Sequence, residues 1–312
     1  MIAFVFPGQG SQYVGMGRRL VEQFEICRET LKQADTALGD TLTTLCFEGP
    51  DDMLRLTENT QPAILAVSIA VHRLLLSRGV KPKLVAGHSL GEYSAHVAAG
   101  TISFADALRT VRRRGKFMQE AVPVGTGAMA AIFGLDAELV LRACQEVAGD
   151  EVVSPANLNA PGQIVIAGAR DAVARAEVRA KELGARRSMA LPVSAPFHCA
   201  LMKPAEQRLE PELRRLVVSD PTVPVVANVD GKLKENAVSS IDALVRQVSA
   251  PVQWEAVVQS LITAGVDTCI EVGPGRVLSG LIKKIDQGMR MANVEDSESL
   301  TRVEQLLDEV GS

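Results

Sequence analysis

The stretch KLVAGHSLGEYSAHVAA, residues 83–99, constrains the fold of this chain more than any other. It places a short apolar run before Gly87 and a helix-forming run from Leu90 onward, with Ser89 between them. Gly87, Ser89 and Gly91 have the G-x-S-x-G spacing of a nucleophile elbow, in which a strand turns sharply into a helix with the serine at the apex. The stretch therefore predicts a strand, a strained turn and a helix in succession.

Both glycines of this turn have a steric reason. A side chain at position 87 or 91 would crowd the neighbouring backbone, so the turn is open mainly to glycine. The unpaired N–H groups of the following helix favour negative charge beside Ser89. A nucleophilic Ser89 is the favoured interpretation, and a strand-to-helix turn with a capping serine is the alternative.

The rest of the chain alternates strands and helices. Residues 2–6 form an apolar run with strand character, residues 18–38 and 61–77 have helical patterns, and the elbow strand follows. This order predicts an α/β fold with a parallel sheet covered on both faces.

The order of predicted strands and helices is different between residues 127 and 194. The segment is interpreted as strand, helix, strand, strand, helix, strand, which is the order of a ferredoxin-like unit. We therefore expect a small ferredoxin-like domain at 125–194, inserted into a larger α/β domain formed by 1–124 and 195–312. After the insert, residues 223–230 are predicted as a strand, and helices and a last strand complete the large domain.

Composition excludes several classes of protein. Apolar residues make up 47% and charged residues 22% of the 312 residues, with a net charge of −4, so we expect a globular protein without a nucleic-acid partner. The apolar run at 63–71 is too short to span a bilayer and is interrupted by Ser68, and residues 2–6 lack the basic flank of a signal peptide. We expect no membrane partner and a cytoplasmic location.

The 5 cysteines are widely spaced and form no C-x-x-C pair. Neither a disulfide framework nor a metal site is implied, and a reducing compartment is the simplest setting.

A serine nucleophile needs a base within hydrogen-bond reach, and the chain has 4 histidines. His88 precedes the nucleophile and should point away from it. His96 lies about 10 Å along the helix, and His72 lies within an apolar helix. By elimination, His198 is the candidate base, with a structural histidine as the alternative.

The oxyanion of an acyl-transfer intermediate needs hydrogen-bond donors. The backbone N–H of Leu90, directly after the nucleophile, is one candidate. A second should come from a loop after a neighbouring strand, and the Gly8-Gln9-Gly10 loop is the best candidate, although a plain turn explains it equally well.

Three consecutive arginines at 112–114 can be separated by their helical angles. At 100° per residue, Arg113 points away from the apolar stripe of its helix and Arg112 lies to one side, whereas Arg114 lies on the margin of the stripe. A partly buried Arg114 could reach a cleft and bind a carboxylate with two hydrogen bonds.

Seven spaced motifs together resemble the malonyl-CoA:acyl carrier protein transacylases. They occur in that family's order and cover nearly the whole chain. The motifs are PGQGSQ near the N-terminus, GHSLGEYSA around Ser89, RRRGKFMQ around Arg114, NAPGQIVIAG in the insert, SAPFHC around His198, RQVSAPVQW around Gln247 and EVGPG near the C-terminus.

The resemblance implies a role for each matching residue. Ser89 matches the nucleophile that becomes the malonyl ester, and His198 matches the base that activates it. The main-chain carbonyl at Gln247 would hold the imidazole in place of a carboxylate. Gln9 and Leu90 match the oxyanion-hole positions.

Two further positions concern the substrate. Arg114 matches the arginine that binds the free carboxylate of the malonyl group. Phe197, directly before His198, is the residue found in malonyl-selective acyltransferase domains of polyketide synthases, and its ring should leave little room for a branched substrate. The preceding SAP differs from the common patterns, so fatty-acid and polyketide synthesis both stay open.

The resemblance therefore implies a malonyltransferase that uses malonyl-CoA and the phosphopantetheine thiol of an acyl carrier protein. It also implies an α/β-hydrolase-like fold for the large domain at 1–124 and 195–312, with the parallel sheet, beside the ferredoxin-like small domain at 125–194. We expect no cofactor and a monomer, and a local basic patch for the acidic carrier near the cleft. Two rivals are a thioesterase or lipase-like hydrolase, against which Arg114 argues, and a non-catalytic carrier-docking subunit, against which Ser89 and His198 argue.

Overall fold

The computed structural model describes residues 1–193 and 195–311. Ser194 and Ser312, at which the predicted small and large domains end, lie outside the described residues. The strands are β1 (Ile2–Phe6), β2 (Leu84–Gly87), β3 (Gly127–Phe133), β4 (Val153–Ala160), β5 (Gln163–Ala169), β6 (Arg187–Ala190), β7 (Val225–Val226), β8 (Leu233–Lys234), β9 (Thr268–Val272) and β10 (Arg290–Val294). The helices are α1 (Arg18–Gln23), α2 (Glu25–Leu38), α3 (Leu42–Glu48), α4 (Asp51–Leu54), α5 (Thr57–Ser77), α6 (Leu90–Ala98), α7 (Phe104–Ala121), α8 (Ala137–Val147), α9 (Arg170–Glu182), α10 (Lys203–Arg214), α11 (Ala237–Gln247), α12 (Trp254–Thr263), α13 (Val277–Ile285) and α14 (Ser297–Gly311).

The larger sheet has the strand order β10-β9-β1-β2-β7-β8. Its strands run parallel except β8, which pairs antiparallel with β7. Residues 3–6 of β1 are fully buried, as expected for a parallel sheet covered by helices on both faces. Phe6 at the end of β1 pairs with Gly87 at the end of β2, so two strand ends meet beside the elbow. The α/β fold class is confirmed.

The second sheet has the order β4-β5-β3-β6 and is antiparallel throughout. Together with α8 and α9 it follows the strand-helix-strand-strand-helix-strand order that the sequence predicts for a ferredoxin-like unit. The Asp136 carboxylate caps α8 by accepting from the Leu139 N–H. One face of the sheet packs on α8 and α9 around a separate apolar cluster. The exact domain boundaries remain a prediction.

The smaller sheet is bonded to the segment between α11 and α12. The Leu158 N–H donates to the Val252 carbonyl at 2.9 Å, and the Val252 N–H donates to the Ala156 carbonyl at 2.9 Å. β4 is thereby tied to the segment that follows α11. This contact fixes the smaller sheet to the rest of the fold.

Helix α5 differs from its predicted bounds. It begins at Thr57, one turn before the predicted start at Gln61, and carries Pro62 inside it. Its 21 residues are long and apolar enough to cross a membrane, but 83% of the apolar window is buried inside the fold. The 63–71 run is thus part of a longer core helix, which packs against α2 and α7.

Several other elements differ from the sequence prediction. The predicted helix at 18–38 is broken at Phe24, whose backbone is extended with φ −124° and ψ 118°. The predicted strand at 223–230 is reduced to the two residues of β7. Strand β10 and the short helices α3 and α4 were not predicted, because each is too short or too polar to show a clear period.

Candidate active site

Ser89 lies at the turn between β2 and α6, with φ 52° and ψ −108°. A non-glycine residue adopts this backbone conformation only where its surroundings enforce it. A Cβ at Gly87 would lie 2.0 Å from the Gly91 backbone, and a Cβ at Gly91 would lie 2.1 Å from the Phe6 carbonyl oxygen. The steric argument for both glycines therefore holds in the structure.

The Asn228 side chain holds this turn from the neighbouring strand end. Its Oδ1 accepts from the Ser89 N–H at 2.6 Å, and its Nδ2 donates to the Gly87 carbonyl at 2.7 Å. The sequence analysis missed Asn228. The predicted strand at 223–230 contains Asn228, whereas β7 ends at Val226 and leaves Asn228 just past its carboxyl end, where polar residues of parallel strands gather.

His198 is brought to Ser89 from a distant part of the chain. Its Nε2 lies 2.7 Å from Ser89 Oγ, and its Nδ1 lies 3.0 Å from the Gln247 main-chain carbonyl oxygen. The carbonyl can only accept, so Nδ1 carries the proton and Nε2 is free to take one from the serine. Burial, together with the nearby Arg114 charge, lowers the pKa of His198 to about 3. The imidazole is therefore neutral at physiological pH.

The other histidines are placed as the elimination requires. His88 Nε2 lies 2.8 Å from Asn159 Oδ1 and its ring packs near Trp254. His72 is buried among aromatic rings of β1, with centroids 5.9 and 6.1 Å away. His96 is fully buried one turn after Glu92, with 4.0 Å between His96 Nε2 and a Glu92 carboxylate oxygen.

The three arginines of α7 are separated as the helical angles predict. The Arg112 side chain is 27% exposed and pairs with Asp40, and the Arg113 side chain is 54% exposed and pairs with Glu212. Arg114 is only 2% exposed, so it lies deeper than the predicted margin of the stripe.

Arg114 faces the nucleophile. Its Nη2 donates to Ser89 Oγ at 3.2 Å and to Gln247 Oε1 at 2.8 Å, and its Nη1 donates to Gln61 Oε1 at 2.8 Å. The guanidinium also lies 5.4 Å from the Tyr93 ring centroid. All of these partners are neutral, so a buried cation faces the cavity without an anionic partner among them.

The cavity at Ser89 has a volume of about 110 Å³. Its lining combines apolar and polar side chains. The apolar ones are Met118, Met129, Leu191, Val193 and Phe197, and the polar ones beside Ser89 and His198 are Gln9, Gln61, His88, Asn157 and Arg114. A small acyl group with an anionic end fits such a lining.

The two residues predicted to donate to the oxyanion, Leu90 and Gln9, lie on different segments next to Ser89. Leu90 is the first residue of α6, and Gln9 lines the cavity while its side chain donates to Thr57 Oγ1 at 3.2 Å. Within the described residues, no group accepts from the backbone N–H of Leu90 or Gln9. Both donors are therefore available to an oxyanion formed above Ser89.

Gln247 contributes more than its main-chain carbonyl. Its side chain is buried and contacts Arg114, the Ser89 carbonyl and Glu92. The sequence analysis assigned no role to this side chain, to Gln61 or to Glu92. Pattern alone cannot find them, because each contact joins residues far apart in the chain.

Comparison with known proteins gives consistent matches over the whole chain. The model of the acyl transferase domain family matches residues 3–308. The malonyl CoA-acyl carrier protein transacylase of Escherichia coli strain K12 is 54% identical over 284 residues, covering 91% of this chain and 92% of that protein.

Solved structures match equally well. An acyl carrier protein S-malonyltransferase from Vibrio cholerae has a TM-score of 0.95 and 49% identity, covering 97% of this chain and 99% of that one. A malonyl-transacylase in complex with its type II PKS acyl-carrier protein has a TM-score of 0.94 and 50% identity, covering 96% of this chain and 97% of that one.

Proposed function

This chain belongs to the malonyl-CoA:acyl carrier protein transacylase family, and from that premise we propose how its cavity performs malonyl transfer. The protein is an acyltransferase that moves a malonyl group from malonyl-CoA to an acyl carrier protein, in fatty-acid or polyketide synthesis. The observation that carries the mechanism is the meeting of Ser89 Oγ with His198 Nε2 at 2.7 Å and with Arg114 Nη2 at 3.2 Å.

The first step acylates the enzyme. The malonyl carboxylate binds the Arg114 guanidinium, and Ser89 Oγ attacks the thioester carbonyl while His198 Nε2 takes the hydroxyl proton. The carbonyl oxygen becomes an oxyanion that accepts from the Leu90 and Gln9 N–H groups. When the C–S bond breaks, His198 returns the proton to the departing CoA thiolate, which leaves a malonyl ester on Ser89.

The second step reverses the first with a different thiol. His198 Nε2 takes the proton of the carrier's phosphopantetheine thiol, and the thiolate attacks the malonyl ester. When the C–O bond breaks, the proton passes to Ser89 Oγ, which restores the free enzyme. The Gln247 carbonyl stabilises the imidazolium in both steps, so no third acid is required.

We propose that Phe197 limits the acyl group. Its side chain is 8% exposed and lines the cavity next to His198. The cavity beside the ring is small, at about 110 Å³. A methyl branch on the substrate would require the ring to move, so unbranched malonyl-CoA is the proposed substrate.

A basic groove provides a docking place for an acidic carrier. The groove has a volume of about 610 Å³ and includes Arg186, Arg187, Lys283 and Lys284. Lys283 donates to the Gln287 carbonyl and Lys284 to Gln163, so these charges lie against neutral groups. An acidic surface would be attracted there.

This groove is connected to the cavity by one segment of chain. Strand β6 begins at Arg187 in the groove, and Leu191 and Val193, just after it, line the cavity. Extended chain rises about 3.3 Å per residue, so Leu191 lies roughly 13 Å along the chain from Arg187. A carrier docked in the groove would therefore hold its flexible arm near Ser89.

The remaining proposals concern the setting of the enzyme. The proposed chemistry uses the protein's own side chains and needs no cofactor beyond its substrates. We propose a cytoplasmic monomer that acts on no nucleic acid and no membrane surface.

Radiolabelled malonyl-CoA tests the proposed reaction against its rivals. The protein should become labelled, and the label should pass to added carrier protein, whereas Ser89→Ala should not be labelled. Release of free malonate at the rate of labelling would indicate a hydrolase, and failure of the wild-type protein to become labelled would indicate a docking subunit.

A further inference from the structure

Gln247 contacts Ser89 and Arg114 through its side chain and His198 through its main chain. Its Nε2 donates to the Ser89 carbonyl at 2.8 Å, its Oε1 accepts from Arg114 Nη2 at 2.8 Å, and its main-chain carbonyl lies 3.0 Å from His198 Nδ1. Gln247 is fully buried. The orientation of this amide therefore affects the position of the Arg114 guanidinium.

An amide side chain can be turned by 180°, which exchanges its oxygen and nitrogen. Arg114 only donates, so it needs the amide oxygen. The Ser89 carbonyl only accepts, so it needs the amide nitrogen. Gln247 Nε2 also donates to Glu92 Oε2 at 2.8 Å. This second acceptor beside the amide nitrogen fixes the orientation of the Gln247 amide.

Glu92 also reaches the residue that holds the elbow. The same Oε2 accepts from the Asn228 N–H at 3.0 Å, and the Asn228 side chain binds the backbone on both sides of His88. One carboxylate oxygen therefore ties together Gln247 and Asn228. Glu92 is fully buried, and a buried carboxylate is costly unless its contacts compensate.

The other carboxylate oxygen makes no contribution to these contacts. Within the described residues Glu92 Oε1 has no hydrogen-bond partner, and it lies 4.0 Å from His96 Nε2, which is also unpartnered. Burial raises the pKa of Glu92 to about 7 against the opposing effects of Gln247, Asn228 and Arg114. A proton on Oε1 would leave Oε2 free to accept both bonds.

We propose that Glu92 is a positioning residue for malonyl selection, which acts by fixing the amide of Gln247 and through it the guanidinium of Arg114. The proposal rests on the proposed function, since it requires Arg114 to bind the malonyl carboxylate. Glu92 itself does not line the cavity. Its effect through Gln247 and Arg114 should therefore appear in the choice of acyl group, whereas its contact with Asn228 supports the elbow for every acyl group alike.

Two conservative variants separate contact from charge. Glu92→Asp keeps the carboxylate but is one methylene too short to reach Gln247 and Asn228 together. Glu92→Gln removes the charge but keeps an oxygen that can accept both bonds, with its NH2 toward His96. We expect Glu92→Asp to lower the ratio of kcat/KM for malonyl-CoA to kcat/KM for acetyl-CoA about tenfold, because any loosening of the elbow through Asn228 should slow both substrates alike.

Glu92→Gln should keep the malonyl-to-acetyl preference within about twofold of the wild type. The proposal is overturned if Glu92→Asp keeps the wild-type preference, or if Glu92→Gln loses as much preference as Glu92→Asp. Glu271→Gln is the matched control, because Glu271 is also fully buried but caps α13 at Leu278 and Ser279. It should lower stability without changing the preference.

The Arg114→Ala background distinguishes this inference from the proposed function. If Glu92 acts through Arg114, adding Glu92→Asp to Arg114→Ala should not change the acyl preference further. Wild-type kcat/KM for malonyl-CoA in Arg114→Ala alone would contradict the carboxylate site itself. If Arg114→Ala lowers kcat/KM for malonyl-CoA but Glu92→Asp alone leaves the acyl preference unchanged, only the role of Glu92 is contradicted.

Discussion

Arg114 is the residue proposed to select the substrate. Its guanidinium is 2% exposed, and in the free protein it donates to Gln61, Gln247 and Ser89, which are all neutral. A desolvated cation gains most from an anionic partner. The substrate carboxylate would supply that partner at the place where the neutral contacts now lie.

Removing this guanidinium should change the acyl preference. We expect Arg114→Ala to lower kcat/KM for malonyl-CoA at least about a hundredfold, the loss of a buried charged contact, and to raise the relative use of acetyl-CoA. Steady-state assays with both substrates measure the change. Arg113→Ala, on the exposed face of the same helix, should leave both values within about twofold. Equal losses in the two variants would contradict the assignment.

At the residue scale, the sequence predicted those groups that a local pattern marks. The glycine spacing marked Ser89, elimination among few histidines marked His198, and helical angles marked Arg114. Asn228 and Glu92 carry no such mark, because their contacts with the elbow and with Gln247 depend on how distant segments pack. Buried polar contacts of this kind can be recognised only once the fold is known.

At the element scale, helix α7 is held in place by close packing on α5. A Cβ at Gly115 would lie 2.7 Å from backbone atoms of Glu58 and of Thr57. Gly115 thus allows the two helices to approach at the level of Arg114. The position of the guanidinium depends on this approach.

Gly115→Ala should therefore affect both stability and substrate binding. Overpacking at this contact is expected to lower the free energy of unfolding by about 1–3 kcal/mol, and displacement of α7 should raise KM for malonyl-CoA severalfold. Urea unfolding and steady-state kinetics measure the two effects.

Gly280→Ala is the control for this change. Gly280 lies inside α13, where a Cβ would meet nothing within 4 Å. This variant should raise stability by about 0.5–1 kcal/mol without changing KM. An unchanged KM in Gly115→Ala would show that the packing of α7 does not position Arg114.

The elements that the sequence predicted well are the long apolar ones. Strand β1 and helix α6 follow their patterns, and the small unit has the predicted element order. The start of helix α5 was predicted too late. Proline usually lies in the first turn of a helix, whereas Pro62 lies inside this one, which begins at Thr57. Strand β10 was missed because its residues are only partly apolar and it pairs at the edge of the sheet.

At the scale of the whole molecule, buried histidines make stability depend on pH. Burial lowers the pKa of His72 to about 4 and those of His96 and His198 to about 3, from 6.5. Between about pH 4 and 6.5 the unfolded chain therefore binds more protons than the folded one. Glu92 opposes the effect of the histidines between about pH 4.5 and pH 7. Its pKa is raised from 4.5 to about 7, so in this range the folded protein holds a proton that the unfolded chain has lost.

Burial also lowers the pKa of His88 and raises the pKa of Glu271. The four histidines outnumber the two opposing carboxyl groups, so the free energy of unfolding should fall as pH decreases below about 6. Urea unfolding followed by the fluorescence of the buried Trp254 measures it. Substituting His72 with phenylalanine should remove about 1.4 kcal/mol per pH unit from this slope. A slope that stays the same in this variant would contradict the assignment of His72 as buried and neutral.

A substitution in the basic groove should weaken binding of the carrier without changing the reaction with malonyl-CoA. Lys284→Glu should raise KM for the carrier protein about tenfold at low salt and leave the rate of labelling by malonyl-CoA within about twofold. The difference should shrink as salt is added, because the attraction is screened. Lys32→Glu on α2, outside the groove, should change neither value. A loss that is the same at high salt would argue against electrostatic docking.

The walls of the cavity come from two parts of the chain. Ser89, Arg114 and His198 belong to the segments around the larger sheet, whereas Met129, Asn157, Leu191 and Val193 lie on the smaller sheet or next to it. Reactivity and side-chain fit are thus encoded in different stretches of the gene. Exchanging only the stretch for the smaller sheet between related enzymes would be a route by which new acyl preferences arise while the reactive trio is inherited unchanged.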